Sequence, residues 1–120
     1  MYGFPPALSP NIFVDKTLTT VHFSEYLLSL HFDGQVWVDV YGRVEHDSPG
    51  QFVDMCDVDE PFVSTRLPRL LGHRVVSASV EGRGTICLSF DTGEVLKIYD
   101  DTDWYECYHI EIPGQQRYII

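Results

Sequence analysis

Val76, Ala78 and Val80 alternate with Ser77, Ser79 and Glu81. After EGRG, Ile86, Leu88 and Phe90 alternate with Cys87 and Ser89. A period of two over such a length is a strand with one dry face and one wetter face. Gly82-Arg83-Gly84 closes the first run and Asp91-Thr92-Gly93 the second, so antiparallel hairpins are the simplest connection. The same pattern occurs earlier: Val21 and Phe23, then Leu28, Leu30 and Phe32, then Asp33-Gly34, then Val36 to Val40. LSLHFDG and ICLSFDTG superimpose with one extra residue in the second turn.

The pattern predicts a mainly β chain: two related antiparallel β-meanders, residues 18–41 and 70–112, in one domain of residues 1–120. They would form one twisted sheet, a small sandwich or a half-barrel, with one short helix between them. That helix falls in FVSTRLPRLLG, where Pro68 fits a first turn, Leu70 and Leu71 pack it down, and Gly72 ends it in a left-handed position. Pro5, Pro6 and Pro10 predict an extended arm at the start. Gly42 to Pro61 interrupts the alternation, with a short edge strand through Phe52, Val53 and Met55. Val36 to Val40 is apolar at nearly every position, which predicts cover on both faces. From Trp104 the chain extends again, Trp104, Glu106, Tyr108 and Ile110 facing one way and Tyr105, Cys107 and His109 the other.

Composition narrows the function classes. Eight basic against eighteen acidic residues gives a net charge of −10, which argues against a nucleic-acid or anionic-membrane binder. No apolar run has the length of a membrane span, and MYGFPPALSPNIF lacks the features of a signal peptide, so a cytoplasmic location is expected. Cys56, Cys87 and Cys107 are too few and too scattered for a disulfide framework. Cys87, between Ile86 and Leu88, reads as a buried inert thiol.

No catalytic or cofactor signature emerges. Gly82-Arg83-Gly84 has no Lys-Ser/Thr and no helix behind it, so it is a hairpin turn and not a phosphate loop. Nothing in the spacing brings Cys56 to His46 or His73. Asp54, Asp57, Asp59 and Glu60 are dense enough for a hard cation but lack the glycine and terminal Glu of a calcium loop. Cys107 and His109 have no second pair for zinc. The expectation is no enzyme, no metal and no cofactor.

LLGHRVVSASV, GTICLSFDTGEVLKI and DDTDWYECYHIEIPG together resemble a pattern in small bacterial β-rich proteins of unknown function. Its opening glycine and valines fall on Gly72, Val75 and Val76, and its hairpin on Ile86, Leu88, Phe90 and Gly93. Its late strand falls on Tyr105, Glu106 and Tyr108, followed by Pro113-Gly114. The likeness covers Leu70 to Gly114, with a fainter echo in Leu18 to Val40. The proline-rich start and the acidic insert between the halves depart from it. Some such proteins look like immunity partners of polymorphic or contact-dependent toxins. The resemblance implies a non-catalytic inhibitor that neutralises a cognate toxin domain, the alternative being a structural or housekeeping β domain without such a partner.

The charges suit the first reading. Seven acidic residues fall between Asp39 and Glu60, and seven between Asp91 and Glu111. If the two stretches meet on one side of the sheet, they oppose a basic partner such as a nuclease domain. The expected contact residues are Asp54, Asp57, Asp59, Glu60, Asp100, Asp101, Asp103 and Trp104.

Overall fold

A computed structural model of the chain describes residues 3–6, 8–25, 27–48, 51–57, 66–100, 106–114 and 117–120, with residues 51–57 described through their backbone. Among them, ten strands make two five-stranded antiparallel sheets. In the first, β1 (Leu18–Ser24), β2 (Leu27–Phe32), β3 (Val36–Val40), β9 (Tyr108–Glu111) and β10 (Arg117–Ile119) lie side by side in that order. The second runs β5 (Gln51–Asp57), β4 (Arg43–Ser48), β8 (Val95–Ile98), β7 (Thr85–Phe90), β6 (Val75–Glu81). The inner faces share one core as a small β-sandwich. Leu28, Leu30, Phe32, Val36, Val38 and Val40 come from one sheet, and Ile86, Leu88, Phe90, Leu96 and Ile98 from the other, all buried.

The strand order encloses a repeat. Each half of the chain lays down a three-strand meander (β1–β2–β3 or β6–β7–β8) and then passes a hairpin to the other sheet. Thus β4–β5 joins β8, and β9–β10 joins β3. Backbone bonds at the junction come in reciprocal pairs. Asp15 N–H donates to Val75 O at 2.8 Å and Gly72 N–H to Leu18 O at 2.8 Å. Val75 N–H donates to Lys16 O at 2.8 Å and Leu18 N–H to His73 O at 3.0 Å. An antiparallel bridge between Thr17 and Arg74 sits at the centre of this pseudo-two-fold relation. Asp15 (φ 67°) therefore occupies in one half the left-handed position that Gly72 (φ 81°) occupies in the other.

Several expectations change. The sheets are two, so a single twisted sheet is excluded, and the helix between the meanders is one 3-10 turn, Leu67–Leu70. Leu70 is buried but Leu71 is 41% exposed. The proline-rich arm is not wholly extended: Pro10 opens a matching 3-10 turn, Pro10–Phe13, whose missing N–H costs nothing at that position. Phe13 packs edge-to-face on Phe32 with ring centroids 5.3 Å apart. In β6 a register shift between Val75 and Ser77 turns Val75 inward and leaves Val76 43% exposed, so Val76 leaves the dry face. β1 carries the equivalent shift between Leu18 and Thr20.

The two turns LSLHFDG and ICLSFDTG turn out equal in length. Gln35 N–H donates to Phe32 O at 3.0 Å, and Gly93 N–H to Phe90 O at 2.9 Å. Gly93 takes the place of Gln35, and no residue is inserted. The supposed interruption after Gly42 holds β4 as well as the expected edge strand β5. β3 is buried on one face only; on the other, Trp37 is half-buried and stacks on His31 at 4.9 Å. The late strand begins at Tyr108, with Cys107 buried just before it; Trp104 and Tyr105 lie outside the described residues.

Candidate functional site

The β4–β5 hairpin is where the acidic sequence meets the sheet. β4 alternates strictly: Val44 and His46 point into the core and are buried, while Glu45 and Asp47 lie half-buried on the outer face. Among the described residues β5 pairs only with β4 and stands at the end of the second sheet. Its register sets Asp57 opposite Arg43 and Asp54 opposite His46. Asp54 and Asp57 thus occupy positions of opposite parity on the strand. Tyr99, which follows β8, donates its N–H to Arg43 O at 3.0 Å. Asp57, in the first acidic stretch, and Tyr99, within the second, therefore flank Arg43 at one end of this sheet.

Electrostatics on the outer face of β4 follow from two carboxylates two positions apart. Glu45 is held above the usual carboxylate range, first by a hydrogen bond shared with Asp47, then by burial. The Tyr99 hydroxyl donates to Glu45 Oε1 at 3.1 Å and opposes that rise, and the Arg43 guanidinium lies 4.8 Å over the Tyr99 ring. Lys97 stands opposite Glu45 in the register, yet its ammonium is directed to Glu81 Oε2 at 3.4 Å.

Asp100 belongs to the interior and not to a contact surface. Its side chain is fully buried, with Arg83 Nε at 3.3 Å and Nη2 at 3.1 Å, and the Cys107 thiol donates to it at 3.6 Å. Gly84 makes room for it: a Cβ there would stand 2.5 Å from Asp100 Oδ2 and 2.9 Å from Phe4 N. Beside it the Tyr108 hydroxyl donates to Gly84 O at 2.6 Å, and burial pushes that hydroxyl's pKa up. Asp59, Glu60, Asp101, Asp103 and Trp104 lie outside the described residues.

A second polar cluster lies beneath the hairpin. Glu94 Oε2 is 2.7 Å from His46 Nε2, and Arg69 Nη2 donates to Glu94 Oε1 at 2.6 Å. His46 and Glu94 are buried, with side chains 1% and 7% exposed. Burial alone would raise the Glu94 carboxyl; hydrogen bonds and charge from His46 and Arg69 outweigh it and hold it below the usual range. The triad ties β4, the turn before β8 and the 3-10 turn at Leu67–Leu70 together. Bonded to one another across three elements, His46, Glu94 and Arg69 act as a clamp. The sequence carried one signal for it: Glu94 shares the inward parity of Leu96 and Ile98, an ionised residue at a core position.

The remaining groups are quiet. Cys87 is buried, and burial followed by Glu81 pushes its thiol up to about 11, which suits an inert side chain. Among the described residues no group of three or more His, Cys, Asp or Glu is placed to hold a metal ion, and no helix is long and apolar enough to cross a membrane. The chain matches no family profile, no curated protein and no solved structure.

Proposed function

We propose that this chain is a non-catalytic binding protein that neutralises a basic protein domain, in the manner of an immunity protein facing a nuclease toxin. The observation that supports it is the placing of the acidic run on a sheet edge. Glu45 and Asp47 crowd one face of β4, and the neighbouring strand β5, which carries Asp54 and Asp57, has one side that pairs with no strand among the described residues. An edge offers main-chain donors and acceptors to a partner, and surplus negative charge selects a basic one. A cation brought to Glu45 and Asp47 relieves their mutual repulsion, so binding releases a proton from the pair and strengthens as pH rises through the raised Glu45 pKa.

The test is co-purification with, and protection against, the C-terminal domain of the protein encoded by the neighbouring gene, followed by affinity measurements over a salt series. Reversing Asp57 and Asp59 to Lys is expected to slow association and flatten the salt dependence while leaving the fold intact. Unchanged affinity and salt slope in that variant would remove the hairpin as the contact surface. Failure to bind or protect at all would remove the toxin reading, leaving a structural β domain.

A further inference from the structure

The two halves share a backbone frame but treat one position in opposite ways. In the second half the space beside the 3-10 turn is filled by Arg69 reaching Glu94. The equivalent residues in the first half are Ile12, two places into its own 3-10 turn, and Val36, which opens β3 as Glu94 precedes β8. Neither reaches across. What remains is a cleft of about 320 Å³ lined by Leu8, Ile12, Lys16, Gln35, Val36, Ile112 and Tyr118. That volume lies at the lower end of those that hold small ligands.

The lining of the cleft is mixed, with four aliphatic residues beside Lys16, Gln35 and Tyr118. Leu8, Ile12, Val36 and Ile112 supply the apolar wall. The equivalent of Lys16 in the other half, His73, is answered by Asp91 at 3.0 Å. The residue matching Asp91 is Asp33; both carboxylates accept from the equivalent backbone N–H, Thr17 at 3.0 Å and Arg74 at 3.3 Å, but Asp91 also meets the His73 side chain. Among the described residues Lys16 makes no ion pair, although the chain carries a net charge of −10. A cation that pairs with no described carboxylate, in a cleft that also presents four aliphatic side chains, is complementary to a carboxylate on an apolar tail. The Gln35 amide and Tyr118 hydroxyl stand at the same cleft as further donors.

We infer that this cleft binds a small amphipathic carboxylate, its apolar chain against Ile12, Val36 and Ile112 and its carboxylate on Lys16. The site is independent of the β4–β5 hairpin, so it stands whether or not a protein partner binds there.

The probes are octanoate and 1-octanol, titrated into the whole chain and followed by amide chemical shifts. Octanoate is expected to produce saturable shifts at Val36, Ile112 and Tyr118 at concentrations up to about a few millimolar. Lys16→Gln should weaken octanoate about tenfold and leave 1-octanol within about twofold, because only the carboxylate uses the charge. Ile112→Trp, at a half-buried position, should abolish both by filling the cleft, with the unperturbed remainder of the spectrum reporting a folded protein. No saturable shift in the folded wild-type chain would overturn the proposal. Equal losses of octanoate and 1-octanol on Lys16→Gln would overturn the carboxylate assignment, as would shifts confined to residues away from the cleft.

Discussion

The first half of this molecule fills an inward position with Val36 and the second fills its counterpart with Glu94. Likewise Ile110 on β9, paired with Val38, corresponds to His46 on β4, paired with Leu96. One frame therefore carries an apolar contact on one side and an ion-paired clamp on the other. The difference shows that pairing and core packing define the fold, while this position is open to specialisation. Where the clamp stands, it fixes the acidic hairpin to the body of the protein. Where it is missing, a cleft remains whose lysine pairs with no described carboxylate.

The frame itself should be the costliest thing to break, and to break equally in both halves. Phe32 and Phe90 are equivalent and buried at 0% and 1% exposure. Phe32→Ala and Phe90→Ala should each cost about 3–5 kcal/mol in urea denaturation. A difference of several kcal/mol between them would show that the halves do not share the core evenly.

The clamp comes next. Glu94→Ala leaves His46 buried without its carboxylate and should cost about 3 kcal/mol, within the range for breaking a buried pair. Val36→Ala at the matching position removes only apolar contacts and should cost about 1–2 kcal/mol. Measuring both in one denaturant series gives the contrast directly.

Acid should find the clamp before it finds the apolar half. Glu94 has a lowered pKa in the fold, so its contribution is fully present above its unfolded value of about 4.3 and is lost as pH falls through the lower folded value. Stability measured from pH 6 down to pH 3 should fall less steeply in a protein whose clamp has been replaced by apolar residues than in the wild type. Parallel slopes would mean that Glu94 is not ionised in the clamp.

The smallest effect belongs to the outer surface. Asp15 and Arg74 pair at 2.8 Å, but their side chains are 73% and 51% exposed, so Arg74→Ala should change stability by no more than about 1 kcal/mol.

Much of the frame was legible in the sequence because alternation survives strictly in β2 and, apart from the buried Cys87, in β7. It failed where the pleat is broken or the inward residue is polar. The register shift in β6 reverses parity after Val75, so Val76 looks like core and is not. β4 has only Val44 as an apolar inward residue; His46 reads as a surface group until Glu94 is seen to meet it, and that contact joins residues far apart in the chain. Asp100 reads as one of a run of acids, and nothing local reveals that Arg83 and the space over Gly84 draw it inside. The acidic edge was visible as composition, but its place on β5 depends on β4 crossing to the second sheet.

The clamp is a polar substitution on a shared frame. A double-mutant cycle of His46→Ile and Glu94→Val, which installs the first half's residues in the second, tests it most directly by denaturant unfolding. The expected result is that each single change destabilises by about 2–4 kcal/mol, whereas the double variant returns to wild-type stability or exceeds it by about 1–4 kcal/mol. Additive losses in the double variant would contradict the account, because apolar residues that fit one half would then not fit the other.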